Sequence, residues 1–222
     1  EESVVLYDMV FGKDAVPSGK EEVTSVADHI ASSTIEKGDT LMFRQMTGDL
    51  LYYLSTRSGE GLKEGLSDLI SDRILCQPKI WRTADDSLKV VGFAKIMNDL
   101  LSKSVPGSCI ADLKVPGLYI SSRGEKRCNV KLSKLSGQRN VIIFYTEGCE
   151  ICDAQKAAAR HLLKSDYNVN GKLNVLLINV DDILRDNPTL ASKLFDSFDL
   201  STLPFLIETD NRGIILRRYF LL

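Results

Sequence analysis

Along the first hundred residues apolar side chains recur at steps of three and four, the spacing of helices that bury one face. Val23, Val26 and Ile30 share a face in a helix predicted over 20–33. Met42, Met46, Leu50, Tyr53 and Leu54 do the same over 40–56. Leu62, Leu66, Leu69, Ile70 and Ile74 repeat the pattern, and so do Leu88, Val91, Ile96, Leu100 and Leu101. Breakers separate these stretches: Pro17-Ser18-Gly19, Lys37-Gly38-Asp39, Ser58-Gly59 and Gln77-Pro78. The prediction is four or five helices forming a small bundle or cap. Met42, Met46, Tyr52 and Tyr53 are expected to pack between helices rather than to hold a ligand.

After Pro106-Gly107 the period changes. Residues 115–121 and 126–131 read as short strands of a hairpin around Ser122-Arg123-Gly124-Glu125. A short helical turn follows at 132–137. Residues 140–145 and 173–180 carry continuous apolar runs, Val-Ile-Ile-Phe-Tyr and Val-Leu-Leu-Ile, typical of strands buried on both faces. Residues 152–164 and 188–198 read as helices. Residues 204–209 and 213–220 read as two strands joined by Asp210-Asn211-Arg212-Gly213. The order β-β-β-α-β-α-β-β predicts an α/β domain with a mixed sheet flanked by helices. The expected division is an all-α N-terminal domain over 1–106 and the sheet domain over 107–222.

Composition narrows the function classes. Of 222 residues, 44% are hydrophobic and 26% charged, with a net charge of −2, enough apolar content for a real core without covalent staples. No basic stripe interleaved with aromatics is present, so nucleic acid is not an expected partner. No apolar run is long enough to span a bilayer. The chain opens on Glu1, which fits a processed product whose signal peptide or lipid anchor would lie outside this sequence. Five cysteines, an odd number, argue against a fully paired framework.

One cysteine pair has chemical spacing. Cys149-Glu150-Ile151-Cys152 follows a buried strand and opens a helix. Unpaired N–H groups and the positive dipole end there stabilise a thiolate, the attacking species in thiol–disulfide exchange. Two intervening residues bring a second sulfur close enough to resolve a mixed disulfide. Cys149 is therefore the expected exposed nucleophile and Cys152 the buried resolving thiol. Glu150 adds a negative charge that disfavours the thiolate and biases the pair toward a reductant rather than a strong oxidant. Pro204, opening a strand after Ser201-Thr202-Leu203, is a candidate for a cis peptide bond.

These residues resemble thioredoxin-like proteins over 129–204. The run LSKLSGQRNVIIFYTEGC at 132–149 is similar to the extracytoplasmic TlpA/ResA type, which also places a hairpin and a short helical turn before the Cys-x-x-Cys strand. The helical half looks like regions that precede such domains in predicted bacterial lipoproteins. The resemblance implies a thiol–disulfide oxidoreductase of the bacterial periplasm or cell envelope, acting on exported proteins with a redox partner protein and no organic cofactor. It also implies that Pro204 is the cis-proline facing the dithiol, that the Leu203 backbone pairs with substrate, and that Tyr145 supplies part of the substrate wall.

The chain departs from the family pattern at four places. Gly148 stands where a tryptophan usually precedes the first cysteine, Ile143 where a buried acid often lies, and Gln155 where some relatives carry a glutamate. With Leu222 soon after the last strand, the family's final helix is expected to be short or absent. The rival reading is a cell-envelope binding or scaffold protein with a structural or slow disulfide.

Other chemistry is weaker. Zinc needs four ligands in a structural site, and no second cysteine pair exists. Haem attachment needs His after the second cysteine, where Asp153 stands. Cys76, Cys109 and Cys128 are expected as buried or semi-buried thiols, with a Cys109–Cys128 meeting left open. His29 and His161 read as lone histidines without function. Asp181-Asp182 reads as a solvated loop rather than a metal site, and Arg217-Arg218 as surface charge on an edge strand.

Overall fold

The protein is described from a computed structural model. It covers residues 2–11, 19–57, 59–82, 87–164, 168 and 172–222. The breakers at Pro17, Ser18 and Ser58 lie outside these residues, as does the side chain of Leu88. Two compact units divide the chain, Glu1–Leu101 and Ser102–Leu222.

The first unit is helical: α1 Glu2–Phe11, α2 Lys20–Ser33, α3 Thr40–Ser55, α4 Glu60–Asp68 and α5 Gly92–Leu101. Asp39 caps α3 by accepting from the Met42 N–H, satisfying a donor the helix leaves free. Gly65 lets α4 approach α2, since a Cβ there would stand 2.5 Å from Cβ of Val23. α4 runs on into a π-turn over Leu69–Leu75, in which the Cys76 N–H reaches the Ser71 carbonyl. Trp81 Nε1 donates to the Arg73 carbonyl at 3.0 Å. A second π-turn, Ser87–Val91, leads into α5.

Several expectations for this unit need correction, among them Ile96, which is 60% exposed while Ala94, Met97 and Leu101 form the buried face of α5. Met42 and Tyr52 are 45% and 64% exposed, so neither belongs to the core, although Tyr52 meets Phe93 of α5 with ring centroids 6.3 Å apart. The buried residues of α3 are Phe43, Thr47, Leu50, Leu51, Tyr53, Leu54 and Ser55, so Leu50, Tyr53 and Leu54 of the expected stripe lie inside, while at the start of the helix Phe43 and Thr47 are buried in place of Met42. α1 was not expected; its Tyr7 and Phe11 pack on the buried Tyr53 with ring centroids 5.3 and 5.8 Å away.

The second unit is a mixed sheet of β1 Lys114–Ser121, β2 Gly124–Lys131, β3 Arg139–Tyr145, β4 Leu173–Asn179, β5 Phe205–Asp210 and β6 Ile215–Arg218. The order is β2-β1-β4-β3-β5-β6. β3 and β4 are parallel and all other pairs antiparallel. The helices are α6 Glu150–Lys164, α7 Val180–Asp186 and α8 Pro188–Ser197. The predicted α/β architecture is thus the one observed. Alternate residues of the central strands feed two cores. Val141, Ile143, Val175, Leu177 and Leu206 pack with Ala159 of α6. Phe144 meets Phe198 and Phe205, and Phe205 meets Tyr219, at 4.9–6.1 Å on the other face.

Asp181 and Asp182 are not in a loop. They form the first turn of α7, where Asn179 caps both N–H groups and acidic side chains suit the positive helix end. Arg218 is not surface charge: it is buried and donates to the Lys103 carbonyl. Only Arg217 keeps much exposure, and it pairs with Glu208. Cys76 and Cys109 are exposed free thiols and Cys128 is half-buried, against the expectation that all three are buried or semi-buried.

Candidate functional site

β3 ends at Tyr145, and the chain turns through Thr146-Glu147-Gly148 into α6. Gly148 has φ +72°, a left-handed conformation that a side chain makes costly. The absence of a tryptophan here therefore has a backbone reason. Asp181 holds the turn from the side, accepting from the Thr146 hydroxyl and, at 3.2 Å, from the Glu147 N–H. Asn179 Nδ2 donates to Glu147 Oε1 at 3.3 Å.

Cys149 and Cys152 form a disulfide with Cα atoms 5.2 Å apart. Cys149 is half-buried and Cys152 fully buried. The Cys152 N–H donates to Cys149 Sγ at 3.2 Å, and the Asp153 N–H to the Cys149 carbonyl at 3.0 Å. Cys149 thus occupies the capping position of α6, its sulfur facing the open N–H groups. Glu150 and Ile151 between the cysteines are exposed.

The peptide bond Leu203–Pro204 is cis. Phe205, the next residue, lies opposite Phe144, so Pro204 stands at the end of the sheet from which the Cys149 turn departs. Leu203 and Pro204 are half-buried.

Tyr145 lies on the α6 face of the sheet, against the Ile143 core. Lys156 Nζ sits 4.3 Å from its ring centre and pairs with Asp153 at 2.6 Å. Burial, then the negative charge of Glu147, raises the Tyr145 hydroxyl above its ordinary value. Tyr145 also borders a cleft of about 280 Å³ shared with Pro116, Cys128 and Asn179.

Ile143 is wholly buried and apolar. Gln155 is buried, and its Oε1 accepts from the Leu222 N–H at 2.6 Å. Sequence reasoning missed Asp199, a buried carboxylate just before the Pro204 loop that accepts from Ser201 and Tyr219. The Asp-x-Ser spacing before a turn could have signalled it. Among the described residues, no group of three or more His, Cys, Asp and Glu could hold a metal ion.

A thioredoxin-like protein from Bacteroides caccae aligns over 90% of this chain and 72% of its own, with a TM-score of 0.56 and 14% identity. The fold is thioredoxin-like. The match extends beyond the sheet unit into the helical one, since the sheet unit is little more than half the chain. The thioredoxin domain of a thiol-disulfide oxidoreductase from Bacteroides vulgatus is also similar, covering 53% of this chain and 89% of its own at 19% identity and a TM-score of 0.34. No family model matches the sequence. No curated protein matches it either.

Proposed function

We propose that the protein is a thiol–disulfide oxidoreductase acting on protein substrates through Cys149 and Cys152. The observation that carries this reading is the asymmetric disulfide at the start of α6, with Cys149 half open and Cys152 closed off. In the reduced form the Cys149 thiolate attacks a substrate disulfide, forming a mixed disulfide and releasing one substrate thiolate. The Cys152 thiolate then attacks Cys149 Sγ. This closes the intramolecular disulfide and releases the second substrate thiolate. Two electrons pass to the substrate, and a partner dithiol must return them. The Leu203 backbone and Pro204 shape the substrate groove, with Tyr145 behind them.

The finer reading is a TlpA/ResA-type protein of the bacterial periplasm or cell envelope, carried by a lipid anchor outside this chain. The match of 132–149 to that pattern supports it. No described helix is long and apolar enough to cross a membrane. The electron direction is toward substrate, because Glu150 beside Cys149 disfavours the thiolate. A measured potential near that of a strong oxidase would overturn that direction.

A second reading, a binding protein with a structural disulfide, draws on Ile143 and Gln155. Neither offers Cys152 a carboxylate, so proton transfer to it needs water or a backbone group. Reduction of insulin by dithiothreitol separates the two. The expected result is acceleration by the wild type and loss of it in Cys149→Ser; no acceleration by the wild type favours the binding protein. Cys152→Ser should trap partners as mixed disulfides.

A further inference from the structure

Both walls of the dithiol site are fastened to one short segment. After β6 the chain turns at Tyr219, where φ is +57°, and runs on to Leu222. At its start the Tyr219 hydroxyl donates to Asp199 Oδ2 at 2.8 Å, both residues being buried. Asp199 Oδ1 accepts from the N–H and hydroxyl of Ser201 at 3.1 and 2.5 Å. These bonds close the loop that leads to Leu203–Pro204. The Tyr219 N–H donates to the Leu206 carbonyl at 3.1 Å, just past that proline. At the other end of the segment the Leu222 N–H donates to Gln155 Oε1 at 2.6 Å. Gln155 lies on α6, three residues after Cys152.

We propose that Tyr219 and Gln155 are positioning residues for the Cys149/Cys152 site, with Tyr219–Leu222 acting as a strap that fixes the Leu203–Pro204 loop against α6. The proposal rests on the oxidoreductase reading. A protein substrate must engage the loop and the Cys149 sulfur together, and small displacements between two such walls cost large factors in rate. Asp199 is the sensitive link. It is a buried carboxylate with three donors, and removing one leaves an acceptor that must find water by moving the loop. Burial, then the charge of Asp199, holds the Tyr219 hydroxyl far above its ordinary value, so it stays a donor at every working pH.

Tyr219→Phe deletes one oxygen and keeps the ring against Phe205. It should lower kcat/KM on a peptide disulfide about tenfold, the lower end of what a buried hydrogen bond to a charged group supports. The loss should lie mainly in kcat, as expected when the reacting groups are held less well in place. Reaction of the dithiol with a small aromatic disulfide, which needs no loop contact, should stay within about twofold. Gln155→Met, which keeps length but removes the acceptor, should act in the same direction. If both substrates slow equally, or neither slows, the strap does no positioning.

Hydrogen exchange at Ser201, Thr202 and Leu203 gives a readout that needs no turnover. Tyr219→Phe should speed it about tenfold. If the wild type reduces neither substrate, the oxidoreductase reading fails, while faster exchange still supports the strap and unchanged exchange overturns it. Should Tyr219→Phe not fold, Gln155→Met carries both measurements.

Discussion

β3 and α3 are both central to their units, and the chain reveals them unequally. In β3 the five residues Asn140–Phe144 are all buried, because the sheet is covered on both faces. No question of phase arises, and the run of apolar letters alone places the strand. In α3 the apolar residues divide, with Phe43, Leu50 and Leu54 inside and Leu41, Met42 and Tyr52 outside. Their count identifies a helix but leaves its rotation to neighbours that local spacing does not encode.

The largest effects should come from the two cores. Phe144→Ala and Phe43→Ala each remove a ring with 0% exposure and should cost about 3–5 kcal/mol. The single tryptophan makes them distinguishable. Trp81 is buried 6.2 Å from Phe43 in the helical unit, so its fluorescence follows that unit's core. A Phe43→Ala protein whose Trp81 transition is unmoved would mean that α3 presents a different face.

Next is Gly65→Ala. The added Cβ would overlap Val23 side-chain carbons at 2.5–2.9 Å. Overpacking of this kind should cost about 1–3 kcal/mol, read from the same fluorescence in urea. Little change would show that α2 and α4 are free to separate.

The sheet unit has a matching electrostatic test. Glu208 is wholly buried on β5 and takes the Nε–H of Arg139 and of Arg217, the latter at 2.6 Å. Burial alone would push its carboxyl up, but the two guanidiniums outweigh that and hold it below its ordinary 4.5. A carboxyl lowered by folding contributes stability above its unfolded value and loses it as pH falls through the folded one. Glu208→Gln should therefore cost about 1–2 kcal/mol near neutrality, the two arginines being half-exposed and able to turn to water. The gap from wild type should close as pH falls below 4.5. A gap that is constant with pH would assign the effect to packing.

The same contrast explains what could be read of the site. Cys149-x-x-Cys152 and Pro204 were legible because helix start, strand end and proline are local features, and the structure brings them to one end of the sheet. The positions of Asp181 beside Glu147 and of Tyr219 beside Asp199 were not. Each joins residues 20 or more apart across a fold that local pattern does not specify. α7 was hidden for a related reason: Val-Asp-Asp-Ile-Leu-Arg-Asp is short, and its acidic first turn reads equally as a loop until Asn179 is seen to cap it. Gly148 looked like a defect in a motif, and its positive φ makes it the turn's requirement.

The smallest expected effect is the most pointed test of phase. Met42→Ser and Tyr52→Ser change residues that the sequence assigns to packing between helices but that stand 45% and 64% exposed. Tyr52 does touch Phe93, with ring centroids 6.3 Å apart, so its loss should not be wholly silent. Exposed substitutions without caps, cavities or buried partners usually stay within about 0.5 kcal/mol. Both variants should do so in urea, as judged by Trp81. A cost of about 2 kcal/mol or more for Met42→Ser, typical of deleting a buried side chain, would rotate α3 back to the face its sequence suggests. Thr47, now at 1% exposure inside the unit, would then be the residue facing solvent.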